Sequence, residues 1–196
     1  MGDSSQLKFL NQVLRDPALQ KLVHHAGLAV VSGAALEGSS MDIINLLRSL
    51  SYEVITTDIA PARGVDLIWD LQKSPPPELV GRVKLFVSCS VLEHVPDVAS
   101  ASQNMLSSLS PAGLLYVSVP WVWRYHKYAD DYHRFHASTI NHLFPRTRNL
   151  ARAWSTSPDC KLHKYSEDID QKLSKIIDGR KFLPYLMLHE LRCKPG

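Results

Sequence analysis

Three turns of the sequence carry residues whose types and spacing could bind a ligand. The first, 33–40, is rich in glycine and small residues and precedes a helical pattern, so its backbone N–H groups suit an anionic or carboxylate-bearing ligand. Asp58 follows at a spacing that suits a carboxylate accepting both hydrogens of a ribose diol. Asp70 closes the next segment and could accept from an adenine amino group. Each turn also has a purely structural explanation, because glycine and aspartate both favour turns.

An alternation of strand and helix patterns positions these turns. Strands are predicted at 28–31, 53–57, 65–69, 83–88, 114–119, 150–156 and 183–191. Two helices are predicted within 5–25, where Asp16-Pro17 ends one and begins the other. Further helices are predicted at 41–50, 98–109, 137–144 and 166–177, and the turn residues 110–113 end the helix 98–109. Alternating strands and helices predict a parallel sheet covered on both faces. Ligands of such sheets lie beyond the carboxyl ends of the strands, where the three turns fall.

Composition limits the classes of protein to consider. The chain has 196 residues, 45% of them hydrophobic, which predicts one globular domain spanning 1–196. Residues 1–120 carry 8 basic and 11 acidic side chains, whereas residues 121–196 carry 14 and 8, so the C-terminal part is a solvated basic surface or faces an anionic partner. The three cysteines, Cys89, Cys160 and Cys193, are widely spaced without a CxxC pair, and no stretch is apolar enough to span a bilayer. We therefore expect a soluble cytoplasmic protein without a membrane partner.

The segment 88–97, SCSVLEHVPD, and the segment 111–120, PAGLLYVSVP, carry a family resemblance. With the acid after the second strand, they resemble class I S-adenosylmethionine-dependent methyltransferases, in particular the small-molecule and glycan branch with a V-L-E-H-V motif. The loop 125–135, YHKYADDYHRF, is similar to a His, Asp-Tyr and Arg-Phe pattern of some members. The resemblance covers 28–194 and implies an α/β, Rossmann-like methyltransferase fold: a mostly parallel, seven-stranded sheet with an antiparallel last strand and helices on both faces.

The resemblance also implies roles for individual residues. N-terminal helices would occupy 1–27, a half that binds S-adenosyl-L-methionine 28–120, and a substrate-side loop with the C-terminal strands 121–196. His94 and His126 are the candidate catalytic bases. The residues implied for the cofactor are Gly33, Ala34, Ala35, Glu37, Gly38, Asp58, Ile59, Asp70, Leu71, Cys89 and Ser90. Those implied for the substrate are Glu93, Trp121, Tyr125, Tyr132 and Arg134.

The aromatic loop allows other interpretations. His126, Asp130, Asp131, His133 and His136 have the ligand types of a zinc or iron site, but their spacing fixes no geometry, so we predict no metal. The loop could also be a packed aromatic segment. The absence of a continuous basic stripe argues against a nucleic-acid partner. The preferred partner is a small-molecule or sugar acceptor, met by Lys127, Arg134 and aromatic side chains that include Trp123 and Tyr128. The sequence does not indicate an oligomeric state.

The sequence thus favours transfer of a methyl group to an oxygen or nitrogen of a small metabolite or sugar. The alternative is a catalytically silent methyltransferase-like protein that acts as a binding module through its basic C-terminal face. Val31 and Ser32 stand where the family has an acid, and Ala35 and Glu37 where it has glycines, which favours this alternative. Glu37 could itself supply the carboxylate for the methionine ammonium group.

Overall fold

A mixed β-sheet organises the chain. The computed structural model describes residues 4–22, 27–34, 39–126, 130–157, 160–166 and 185–196, and these contain four α-helices and eight strands. The helices are α1 (Ser4–Leu14), α2 (Ser39–Ser49), α3 (Val98–Ser108) and α4 (Ala137–Leu143). The strands are β1 (Gly27–Ser32), β2 (Tyr52–Asp58), β3 (Leu67–Ile68), β4 (Val83–Cys89), β5 (Leu109–Val122), β6 (Arg148–Ser157), β7 (Lys161–Lys164) and β8 (Tyr185–Cys193).

The strand order is β3-β2-β1-β4-β5-β8-β6-β7. Strands β1 to β5 pair in parallel, and β8 lies antiparallel between β5 and β6. The predicted mostly parallel sheet with an antiparallel last strand is therefore confirmed. It has eight strands rather than the expected seven because β7 pairs antiparallel with β6 at one edge. The rings of Trp154 and His163 stack 4.1 Å apart across that added pair.

Helices cover both faces of the sheet, as predicted. Successive residues of a strand point to opposite faces, so Val31, Val87 and Tyr116 pack with α1 and α2. Val30 and Phe86 pack on the other face with α3 and α4. Because β1, β4 and β5 are buried on both faces, they are apolar without alternation. Among the helices described, none is long and apolar enough to cross a membrane.

Several predicted boundaries are wrong. Residues 17–22 form hydrogen-bonded turns rather than a second helix, beginning where the Asp16 carboxylate accepts from Ala18 N at 2.8 Å. The segment 110–113 does not precede β5 but bulges within it, because Leu109 pairs with Val83 and the regular register resumes at Leu114. The predicted helix 166–177, apart from residue 166, and residues 183–184 of the last strand lie outside the described residues.

Part of the C-terminal positive charge is neutralised internally. Glu190, fully buried on β8, accepts from Arg152 Nε at 2.7 Å, from Arg192 Nη1 at 2.5 Å and from Asn149 Nδ2 at 2.9 Å. A buried charge must be paired to be tolerated. Arg152 therefore joins β6 to β8, and neither arginine forms a basic surface of the kind that the binding-module alternative requires.

Candidate functional site

A row of small hydroxyl residues crosses the sheet where β1, β2 and β4 approach their carboxyl ends. Ser32 pairs with Thr57 on one side and with Ser88 on the other, and all three are buried. Ser32 Oγ donates to Val87 O at 3.3 Å. The hydroxyls of Thr57 and Ser88 have no hydrogen-bond partner in the described part of the chain. The strand ends therefore form a narrow, polar floor in an otherwise apolar sheet.

The turn after β1 passes close to the segment after β4. Gly33 has a φ of +67°, and a Cβ added there would lie 2.4 Å from Cγ2 of Val91. The next residue, Ala34, is fully buried, and its N–H donates to Thr57 O at 3.3 Å. Both the backbone conformation and the lack of space require glycine at position 33. Ala35, Glu37 and Gly38 lie outside the described residues, so their predicted cofactor contacts stay predictions.

Asp58 and Asp70 lie beyond adjacent strands but differ in how their carboxylates are used. Among the described residues, Asp58 Oδ1 accepts only a long hydrogen bond, 3.4 Å, from the N–H two residues on. Asp70 Oδ1 accepts from both the backbone N–H and the side chain of Gln72, at 3.0 and 3.2 Å. Asp70 thus stabilises its own turn, whereas the Asp58 carboxylate remains available to a ligand. Beside them, Ile59 is exposed and Leu71 is buried.

Cys89 ends β4, and Ser90 follows it. Ser90 adopts a φ of +54°, its N–H donates to Ser118 O at 2.9 Å, and its hydroxyl accepts from Gln6 of α1 at 2.9 Å. Burial, reinforced by the charge of Glu93, raises the pKa of the Cys89 thiol. The thiol is therefore neutral at physiological pH and suits a floor beneath a ligand better than a nucleophile.

Glu93 and His94 lie in a 3-10 turn, Leu92–His94, just beyond β4. Glu93 is 1% exposed, and its Oε2 has no hydrogen-bond partner among the described residues. Burial is the main reason that the pKa of Glu93 rises to about 8, while the nearby Arg134 charge acts in the opposite direction. His94 Nδ1 donates to Asp130 O at 2.6 Å, and Tyr132 N donates to Glu93 O at 2.8 Å. This turn and the loop 130–135 are therefore held together.

Asp131 and Arg134 fix the conformation of that loop. Arg134 uses all five of its N–H donors within the protein: two go to the Asp131 carboxylate and three to the backbone oxygens of Trp123, Arg124 and His133. The hydrogen bond from Arg134 is the largest cause that holds the pKa of Asp131 well below its usual range. In this conformation Arg134 has no donor left for a substrate, so it positions the loop instead of meeting an anion.

The aromatic residues predicted to form the acceptor wall fall into two groups. Tyr125 and Tyr132 are 64% and 49% exposed. Trp121 packs against the core, and its ring lies edge-on to His136 at 5.1 Å. Trp123 packs on Tyr185 with ring centroids 4.7 Å apart. The two tyrosines are thus the accessible part of the wall, while the tryptophans support it. Lys127 and Tyr128 lie outside the described residues.

The metal-like cluster considered from the sequence is dispersed. The Asp131 carboxylate is bound by Arg134, His133 Nε2 donates to Pro96 O at 3.2 Å, and the His136 side chain accepts from Ser138 N at the start of α4. His126 stays beside Asp131, whose Oδ2 accepts from its backbone N–H at 2.9 Å, and it also joins a different set of possible ligands. Its ring lies edge-on to His94 at 5.2 Å, and donor atoms of Glu93, His94 and His126 all lie within 4.8 Å of one another. No sequence pattern links these residues, because the loop that brings them together has no regular period.

Comparisons with known proteins place the fold. No protein-family model matches the sequence, and no curated protein matches it significantly. Many solved structures resemble it. An S-adenosylmethionine-dependent methyltransferase from Mesorhizobium loti has a TM-score of 0.56 and 14% identity, over 94% of this chain and 100% of that one.

Two further structures are complexes with S-adenosylhomocysteine. Phosphoethanolamine N-methyltransferase 2 of Haemonchus contortus, which also holds phosphomonomethylethanolamine, has a TM-score of 0.62 and 11% identity over 98% of this chain and 53% of that one. The 1,6-didemethyltoxoflavin-N1-methyltransferase of Burkholderia thailandensis, with bound 1,6-didemethyltoxoflavin, has a TM-score of 0.57 and 13% identity over 97% and 87%. This chain therefore has the Rossmann-like fold of class I methyltransferases, as its sequence predicts.

Proposed function

We propose that this protein is an S-adenosylmethionine-dependent methyltransferase that acts on an oxygen or nitrogen of a small metabolite or sugar. The observation that carries the proposal is the available Asp58 carboxylate beside a turn that admits only glycine, at the carboxyl edge of a methyltransferase-like sheet. A carboxylate in this position can accept both hydrogens of a ribose diol. The S-adenosylhomocysteine complexes among the structural neighbours support the choice of cofactor.

The residues present fit this cofactor. The hydroxyls of Thr57 and Ser88, on the strands that flank Ser32, are buried without a hydrogen-bond partner among the described residues, and a ligand with polar groups at the strand ends would satisfy them. The turn 33–38 would hold the methionine part, Asp58 and Ile59 the ribose, Asp70 and Leu71 the adenine. Cys89 and Ser90 would form the floor. The cofactor supplies a methyl group on a positively charged sulfur, and the protein's main tasks are to align the acceptor with it and to exclude water.

The acceptor would lie beside the joined loop 130–135 and turn 92–94. Tyr125 and Tyr132 provide exposed aromatic area that suits a sugar or a flat metabolite. When a hydroxyl acceptor forms its new bond to the methyl carbon, the carbon–sulfur bond breaks and the hydroxyl proton must leave. The candidate proton acceptors are the Nε2 atom of His94, whose Nδ1 donates to Asp130 O, and the imidazole of His126.

A methyl-transfer assay tests this function. The protein is incubated with S-adenosylmethionine labelled in the methyl group and a panel of small hydroxyl and amine acceptors, including sugars and phosphate esters. We expect label in at least one acceptor and, at a limiting concentration of cofactor, much less label with Asp58→Ala. Turnover that Asp58→Ala leaves unchanged would contradict the assigned cofactor site. Binding of cofactor without turnover across the panel would favour the silent binding module.

The cytoplasmic location stays part of this proposal and rests on the cysteine spacing.

A further inference from the structure

Glu93, His94 and His126 form a compact set of potential metal ligands. Each offers one donor atom, and all three atoms lie within 4.8 Å of one another. Glu93 Oε1 and His94 Nε2 are 3.9 Å apart. The side chains are 2%, 20% and 33% exposed, respectively, so the carboxylate forms the base of the set and the two imidazoles line its open side.

The His94 imidazole is oriented as that of a metal-binding histidine usually is. His94 Nδ1 donates to the backbone oxygen of Asp130 at 2.6 Å, which places the proton on Nδ1 and leaves a lone pair on Nε2. Metal-ligating histidines almost always direct their second nitrogen at a carbonyl or carboxylate in this way. His126 is held differently: its backbone N–H donates to Asp131 Oδ2 at 2.9 Å, and its ring Nδ1, 3.1 Å from the same oxygen, has no hydrogen-bond partner among the described residues. Asp131 is itself fixed by Arg134.

Glu93 supplies an independent reason to expect a cation. Its Oε2 is buried and has no hydrogen-bond partner in the described part of the chain. A buried polar atom without a partner is destabilising, so such atoms are rare and need an explanation. Arg134, the cation that acts on Glu93, donates all its N–H groups to other atoms. A metal ion bound to the carboxylate would satisfy the orphaned oxygen.

We propose that Glu93, His94 and His126 bind one divalent first-row transition ion, such as zinc, with an open coordination position for water or a ligand hydroxyl. Two histidines and one carboxylate are a ligand set of catalytic zinc sites and of iron(II) sites with open positions. A tetrahedral ion with bonds of ~2.0–2.1 Å holds its donors about 3.3 Å apart, so the donors must approach by up to about 1.5 Å. The partly exposed imidazoles can make this movement.

This site departs from the sequence-based prediction of no metal, and it stands apart from the proposed methyl transfer. If both hold, the ion lies in the acceptor region and selects acceptors with a hydroxyl oxygen. The two histidines would then act as ligands, and the acidified hydroxyl would lose its proton to solvent rather than to an imidazole.

Zinc titration of the tag-free protein by calorimetry tests the site. We expect one equivalent of zinc to bind. Glu93→Gln and His126→Gln should each raise the dissociation constant at least about tenfold, because even the loss of an outer-shell partner of a ligand raises it by that factor. His142→Gln, which removes an exposed histidine on α4, is the matched control and should leave binding unchanged. Asp131→Asn should also weaken binding, because the Asp131 carboxylate holds the backbone N–H of His126 in place.

The result is decisive whether or not every variant folds. No binding by the wild type, or equal dissociation constants for His126→Gln and His142→Gln, would overturn the proposal. His126 is the safer variant because its side chain is one-third exposed, whereas Glu93 is buried. With cobalt(II) in place of zinc, visible absorption bands typical of tetrahedral coordination should appear in the wild type and be lost in His126→Gln. Titration of the same samples with S-adenosylhomocysteine separates failure of this site from failure of the proposed cofactor site.

Discussion

Gly33→Ala should destabilise the protein through two separable effects. Alanine at a φ of +67° is in the left-handed region, which costs about 1–2 kcal/mol. The new methyl would also lie 2.4 Å from Cγ2 of Val91, so the two groups must move apart by about 1 Å to reach ordinary contact. Overpacking of this kind costs about 1–3 kcal/mol. The free energy of unfolding should therefore fall by about 2–5 kcal/mol.

A double-mutant cycle separates the two effects. Val91→Ala removes Cγ2, so Gly33→Ala in that background should cost only the backbone strain of about 1–2 kcal/mol. Gly81→Ala is the matched control: its φ is +66°, but nothing lies within 4 Å of its added Cβ. It should cost the same strain without any contribution from crowding. Gly33→Ala should also lower the affinity for S-adenosylhomocysteine, because the widened turn carries the proposed methionine site.

Urea unfolding followed by tryptophan fluorescence measures all four variants, and calorimetry measures their affinity for S-adenosylhomocysteine. If Gly33→Ala costs no more than Gly81→Ala, or costs the same in both Val91 backgrounds, the close approach of the turn to Val91 is wrong. If stability falls as predicted but affinity is unchanged, the turn is structural only.

Two other predictions concern the loop and the cysteines. Arg134→Lys replaces five planar donors by three and leaves the buried Asp131 carboxylate incompletely paired. The free energy of unfolding should fall by about 2 kcal/mol, which lowers Tm by roughly 4–8 °C. Calorimetry should find no such change for the exposed control Arg146→Lys, and equal Tm values for the two variants would contradict the role given to Arg134. Because its pKa is raised, mainly by desolvation, the Cys89 thiol stays protonated at pH 8. The thiolate is the nucleophile, so iodoacetamide should modify Cys160 well before Cys89. Peptide mapping that finds equal rates would contradict the raised pKa of Cys89.

The sequence predicts the strands and turns of the cofactor half well because each has a local signal. Asp58 ends β2 where the apolar run stops, and Gly33 follows β1 directly. The edge strand β7 was missed because Lys161–Lys164 is polar and pairs on one side only, so no alternation marks it. Leu109 is predicted as the end of a helix but begins β5. Its pairing with Val83 is a long-range contact, and the turn residues 110–113 give no local sign that the strand starts before them.

The candidate acceptor region was predicted by residue type but not by arrangement. Arginine in an aromatic loop suggests an anionic ligand, yet Arg134 is satisfied by Asp131 and three backbone oxygens that only the folded loop brings together. Glu93 is next to His94 in sequence, but its burial and unpartnered oxygen depend on the packing of the loop over it. Irregular loops have no period from which such contacts can be inferred.

The most direct test of the account is calorimetric titration of the purified protein with S-adenosylhomocysteine, because every proposed catalytic role depends on that binding. The wild type should bind one equivalent, and Asp58→Ala should weaken binding roughly 10- to 100-fold, the loss expected for a charged hydrogen bond to the ribose. Glu53→Ala removes an exposed carboxylate from the opposite end of the same strand and should leave binding unchanged. The absence of binding by the wild type, or unchanged binding by Asp58→Ala with a normal Tm, would contradict the account.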